Sequence, residues 1–152
     1  MSHAIFYLLE QASGDTAASH FDAACHVAAE CYSNKQKCLV WCDNQQDAEQ
    51  IDELLWQLPT ERFVPHNLLG DGPKGGAAVE ITWETPARSN RTVLINLASE
   101  APSFSRQFRQ VFDFVPAEEN LKQQARNRYK SYRGAGISLD TKPFNQVNAP
   151  QG

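Results

Sequence analysis

The side chains best suited to metal or redox chemistry in this 152-residue chain are four cysteines, at 25, 31, 38 and 42, and four histidines, at 3, 20, 26 and 66. A zinc or dithiol centre calls for Cys-x-x-Cys pairs, and the chain has none. Cys25 and Cys31 fall in a run of helical periodicity, where six positions turn a side chain through about 240° and point the two thiols apart. Cys38 and Cys42 fall in a strand-like run and lie about 13 Å apart at 3.3 Å per residue. Neither pair closes on one ion, so buried, reduced thiols are the expectation. The histidines have no metal-binding spacing, and neither a metal nor a cofactor is expected.

Phosphate chemistry would have to use Gly70-Asp-Gly-Pro-Lys-Gly-Gly76. A phosphate loop needs Gly-x-x-x-x-Gly-Lys-Ser/Thr between a strand and a helix. Here Lys74 precedes two glycines and then a strand-like run, so no helix N-terminus would face a phosphate. A dinucleotide fingerprint belongs after the first strand, where Gln11-Ala-Ser-Gly-Asp15 holds one glycine. There is no Gly-x-Ser-x-Gly elbow and no cysteine in a nucleophile's context. Asp43 ends the second strand, on the edge where open α/β sheets place ligands, but a lone aspartate there is more often a helix cap or a solvated loop residue.

Two constellations suit binding better than catalysis. On the last helix, at about 100° per residue, Lys122, Arg126, Tyr129 and Arg133 fall within a stripe roughly 60° wide. Leu121, Ala125 and Tyr132 lie to one side, the face expected to pack on a sheet, and Gln123, Asn127 and Lys130 to the other. From Lys122 to Arg133 there are five basic residues and no acidic one. Such a stripe fits a solvated helix whose cations complement the macrodipole. It also fits an acidic peptide with an apolar end, its carboxylates on Lys and Arg and its apolar side chain beside Tyr129. The second constellation is Trp56, Leu58, Pro59, Phe63, Val64, Pro65, Leu68 and Leu69, dense apolar residues without periodicity. They are either core or a partner-binding surface built on aromatic anchors.

These residues need a frame. Ala4 to Leu9 reads as a buried strand, the run from Ala17 to Ser33 as a helix, Cys38 to Cys42 as a strand and Gln45 to Leu55 as a second helix. Asp15 or Thr16 would cap the first helix. Val79–Trp83 and Val93–Leu97 are further strands, Pro102 to Phe108 a short helix, Val111–Val115 a last strand and Glu118 to Arg133 the final helix. Strand and helix alternate as in right-handed crossover units. The prediction is a single α/β domain with a mostly parallel central sheet, Rossmann-like in order, over residues 1–140. A mobile tail rich in Asn, Gln and Pro follows, from Ile137 by composition and over 141–152 at its narrowest.

Composition agrees. Hydrophobic residues at 41% and charged residues at 21% describe a globular chain, and a formal charge of −4 disfavours nucleic acid as the main ligand. No apolar run reaches about 18 residues, and the N-terminal apolar stretch ends at Leu9 without a basic flank. A cytoplasmic protein without a membrane contact is expected.

The segments Phe63-Val-Pro-His-Asn-Leu-Leu-Gly-Asp-Gly-Pro-Lys-Gly-Gly76, Asp113-Phe-Val-Pro116 and Leu121-Lys-Gln-Gln-Ala-Arg-Asn-Arg-Tyr-Lys-Ser-Tyr-Arg133 closely resemble the chi subunit family (HolC-like) of bacterial DNA polymerase III. Phe6-Tyr-Leu-Leu9 and Asp52-Glu-x-Leu-Trp56 fit it as well, and the resemblance runs over about residues 1 to 140. It implies a non-catalytic subunit of the clamp-loader assembly that pairs with the psi subunit and, through psi, reaches the clamp loader. It also implies binding of the acidic C-terminal tail of single-stranded DNA-binding protein, so that any contact with DNA is indirect. By position the family's tail-binding residues fall on Val115, Lys122, Arg126 and Tyr129, and Trp56, Phe63 and Leu68 are the candidates for the psi interface. The alternative is a degenerate nucleotide-binding α/β enzyme, suggested by element order and the glycine loop.

The missing phosphate loop gives a direct test. The purified chain should show no melting shift with ATP or NAD. A shift of several degrees that disappears in Asp43→Ala or Lys74→Ala would establish the enzyme alternative.

Overall fold

Short runs of three to six residues, most of them rich in Val, Ile, Leu and aromatics, pair side by side into one sheet. The computed structural model describes residues 2–9, 19–58, 63–69, 76–85 and 91–144. Their order is β1 (His3–Leu8), α1 (Ser19–Ser33), β2 (Cys38–Trp41), α2 (Gln45–Leu54), β3 (His66–Leu68), β4 (Val79–Thr82) and β5 (Val93–Asn96). A single 3-10 turn (Ser105–Gln107), β6 (Gln110–Val115), α3 (Glu119–Gly134) and β7 (Ser138–Pro143) complete it. The strands lie in the order β3-β4-β2-β5-β6-β1-β7, and every pairing is parallel.

An all-parallel sheet must be covered on both faces. Cys38, Val40, Ile81 and Ile95 meet α1 and α2 on one face, through Cys25, Ala28, Ala48 and Ile51. Ala4, Phe6, Leu94 and Val111 meet Ala125 and Tyr132 of α3, with Phe104 and Phe108, on the other. Asn44 caps α2 by accepting from the Asp47 amide at 2.8 Å, and Glu118 caps α3 by accepting from the Leu121 amide at 2.8 Å.

The structure departs from the sequence reading at the edges. β3 lay in a segment read as irregular, since three residues carry no alternation. β7 lies where the tail was expected to begin; its exposed, polar residues show no apolar face, yet its backbone pairs with β1 from His3↔Ser138 to Leu8↔Pro143. Residues 138–143 are therefore strand, and 145–152 lie outside the described residues. So do the candidate caps Asp15 and Thr16, and Lys74. The short helix contracts to the 3-10 turn.

All four cysteines are buried and unbridged. Burial, with Asp22 nearby, pushes the Cys25 thiol up to about 12, and burial with Asp47 and Asp43 does the same to Cys42. Neither forms a thiolate near neutral pH.

A buried charge joins the two layers. Asp113 of β6 has no exposed surface. Its carboxylate accepts from Arg128 Nε at 3.1 Å to each oxygen, Arg128 Nη2 at 3.0 Å, Tyr132 Oη at 2.8 Å and Asn96 Nδ2 at 3.1 Å. Arg128 also donates to the carbonyls of Ser99 and Phe114. Asp113→Ala should cost about 3–5 kcal/mol in chemical denaturation, because it strands the Arg128 cation in the interior. Burial, and then Asp113, hold the Tyr132 phenol well above its ordinary value. The unfolded chain ionises this tyrosine first, so stability is full below about pH 10 and should fall as pH rises past it.

Candidate functional site

The three short connecting residues 116–118 turn the chain from the end of β6 into α3, which runs back across the sheet. Arg128 and Tyr132, four positions apart, both reach Asp113, and this pins the rotation of the helix about its axis. With Ala125, Arg128 and Tyr132 inward, Lys122 and Tyr129 are half-buried at the flank, and Arg126, Lys130 and Arg133 are exposed.

The Tyr129 ring lies 5.5 Å from that of Phe6 of β1, tilted by 53°. Val115, the last residue of β6, packs with Tyr129 against the same core cluster. Lys122 Nζ stands 3.6 Å from Glu119 Oε1, a surface pair worth little because Glu119 is 81% exposed. Arg126 Nη1 donates to Gln123 Oε1 at 3.3 Å. Val115, Lys122, Arg126 and Tyr129 thus all lie on the α3 side of the sheet. Their chemistry is two cations beside a partly buried apolar strip.

One correction concerns charge. Of the five basic residues counted between Lys122 and Arg133, Arg128 does not contribute to the surface, because it is spent on Asp113. The signal for this was an aspartate inside the apolar run Val111–Val115, which demands a buried partner.

The second constellation divides. Val64 is buried, and Leu58 and Leu68 pack against the core from partly covered positions. Trp56, in the turn after α2, is 65% exposed, and Phe63, just before β3, is 59% exposed. Their rings lie 5.5 Å apart, and His66 of β3 sits 4.8 Å from Trp56 and 6.3 Å from Phe63. The His66 side chain is buried, with Nδ1 2.7 Å from the Val64 carbonyl and Nε2 3.6 Å from Asp52 Oδ1. The two exposed rings therefore rest on a fixed third ring, as an aromatic shelf at the β3 edge.

At the carboxyl ends of the strands, where such sheets hold ligands, Asp43 accepts from the Ser99 amide at 3.0 Å and from Ser99 Oγ at 3.2 Å. It clasps the end of β2 to the end of β5. The adjoining cavity of about 340 Å³ is lined by His20, Asp43, Asp47, Gln50 and Gln124 among others, and Arg128 at its wall is already paired. Burial and the nearby Asp43 raise Asp47. Two carboxylates facing one cavity disfavour a phosphate. Among the described residues, no group of three or more His, Cys, Asp or Glu could hold a metal ion, and no helix is long and apolar enough to cross a membrane.

Residues 1–140 match the family model described as DNA polymerase III chi subunit, HolC. The chain is 44% identical over 146 residues to the DNA polymerase III subunit chi of Escherichia coli, covering 93% of this chain and 97% of that protein. It is 42% identical over 121 residues to the protein of the same name from Haemophilus influenzae, covering 79% of this chain and 84% of the other. For the relative so named from Pseudomonas aeruginosa the identity is 28% over 139 residues, with 91% and 94% covered.

Proposed function

This chain belongs to the DNA polymerase III chi subunit family, an accessory component of DNA replication, and from that premise we propose that it is a non-catalytic bridge between two protein partners. One is the psi subunit, met by the aromatic shelf of Trp56 and Phe63 with Leu68 beside it. The other is the acidic C-terminal tail of single-stranded DNA-binding protein, met by Val115, Lys122, Arg126 and Tyr129. Through psi the chain joins the clamp loader, and it reaches DNA only through its partners.

The observation that carries this reading is the separation of two unlike surfaces. The aromatic shelf belongs to the β3 edge and the cationic stripe to the α3 face, over β6 and β1. Four to five strand intervals, at about 4.8 Å each, separate β3 from β6 and β1 by about 19–24 Å. Both partners can therefore be held together without collision. The stripe suits a carboxylate-rich ligand, because charge-assisted hydrogen bonds to Lys122 and Arg126 strengthen as the ligand displaces water. The shelf suits a folded partner, since exposed aromatic anchors concentrate binding energy at interfaces.

At the shelf, Phe63→Ala should leave the melting temperature nearly unchanged, the ring being more than half exposed. It should weaken psi binding by on the order of 2 kcal/mol, read by titration calorimetry. Lost stability with unchanged psi affinity would make the residue core instead.

At the stripe, Arg126→Ala should weaken a fluorescent tail peptide by about ten- to a hundredfold, as expected for one charge-assisted bond of about 1.5–3 kcal/mol. Affinity should fall with added salt as the Debye length drops below about 10 Å. Amidating the peptide's terminal carboxylate should cost more than removing an upstream aspartate. An Arg126→Glu protein that folds and binds the peptide like the parent would refute the assignment.

A further inference from the structure

His66 lies under the aromatic shelf, and its two ring nitrogens meet different surroundings. Nδ1 is 2.7 Å from the Val64 carbonyl, which can only accept, so this nitrogen carries the hydrogen and donates. A neutral ring of that tautomer keeps a lone pair on Nε2. This nitrogen is buried and has no hydrogen-bond partner among the described residues. It faces Asp52 Oδ1 at 3.6 Å, which is another acceptor. Two lone pairs confronting each other away from water are costly. One proton between them removes the conflict, and on Nε2 it makes an imidazolium paired with a carboxylate.

The other groups around the ring are apolar or already engaged. On α2, Glu53 beside Asp52 is exposed, and Glu49 accepts from Gln45 at 2.9 Å. On β4, the residue in register with His66 is the buried Val79. Glu80, next along β4, accepts from Asn67 at 3.3 Å and pairs with Arg91 at 3.4 Å. The remaining neighbours are the rings of Trp56 at 4.8 Å and Phe63 at 6.3 Å.

Burial is uneven across the pair. The His66 side chain has no exposed surface, whereas 31% of the Asp52 side chain is exposed. Water therefore screens the carboxylate in the unbound chain. A folded partner laid across Trp56 and Phe63 displaces that water, and an unprotonated pair then costs more. The bound state holds the proton more tightly than the unbound state. By linkage, the added affinity is present at low pH and is lost as pH rises until the bound pair releases its proton.

We propose that the His66–Asp52 pair takes up a proton when a folded partner covers the shelf, so that this interface tightens as pH falls. This rests on the shelf being the psi-binding surface.

The test titrates purified psi into the full chain by calorimetry at about pH 6, 7 and 8, the range in which histidines change charge, in two buffers of different ionisation enthalpy. The parent should bind about three- to tenfold more tightly at the lowest pH than at the highest, within the roughly tenfold per pH unit that one proton allows. The buffer dependence of the heat should report proton uptake. Asp52→Asn puts an amide donor opposite Nε2 and satisfies the neutral ring without a proton, so its affinity should be nearly independent of pH. His66→Asn keeps a donor for the Val64 carbonyl but removes Nε2, and it should flatten the profile too. Histidines elsewhere in either protein contribute equally to all three titrations, so the difference in slope decides, whatever the absolute affinity. A slope and proton uptake that persist in both variants would overturn the proposal, as would a parent that shows neither. If Phe63→Ala binds psi like the parent, the shelf is not the psi surface and the proposal falls with that reading. A weakened Phe63→Ala beside unchanged slopes in the other two variants would sink the proton linkage alone.

Discussion

Asp113 lies in the middle of a parallel sheet with no surface in contact with water, and much of the molecule is arranged around its charge. A carboxylate in that position is tolerable only with a complete set of donors. Arg128 and Tyr132 supply them from α3 and Asn96 from β5, while Arg128 extends to the carbonyls of Ser99 and Phe114. Apolar contacts such as Ala125 against the sheet would permit the helix some rotation. A bidentate ion pair with a tyrosine four residues on does not. The setting of α3 follows from that network, and with it the position of Lys122, Arg126 and Tyr129 on the outer flank.

The central strands were legible because both of their faces are buried. β2, β5 and β6 are apolar runs, and such runs stand out without any alternation. The edge strands were not legible. β7 is held by its backbone and by His3, whose ring nitrogens lie 2.7 Å from Ser138 Oγ and 3.2 Å from Asp140, and none of that leaves a hydrophobic signature. Exposure around Trp56 was equally hidden. Val64 faces inward while Phe63 beside it faces out, and only the placement of β3 against β4 decides which neighbour is covered. The stripe on α3 was drawn correctly as an angular pattern. Its charge was overcounted, because a helical projection contains Arg128 but not the aspartate across from it.

The carboxyl edge of the sheet also carries a physical message. In folds of this order the crevice between strands leading to opposite faces is where ligands enter. Here Asp43 spends its carboxylate on the amide and hydroxyl of Ser99, and the cavity beside it presents a second acid, Asp47. The chain's own hydrogen bonds join the ends of β2 and β5 there. The architecture supplies rigidity, and the two surfaces proposed for recognition lie away from this edge.

That rigidity has a consequence for assembly. A flexible tether between two binding modules spreads the second partner through a volume that grows with tether length, and the gain from linkage declines accordingly. A hydrogen-bonded sheet spanning about 19–24 Å from β3 to β6 and β1 has almost no such fluctuation. Partners seated on the two proposed surfaces would be held at one distance and one relative orientation. Effective concentration is then governed by the play in the partners' own chains, with almost none contributed by the connector.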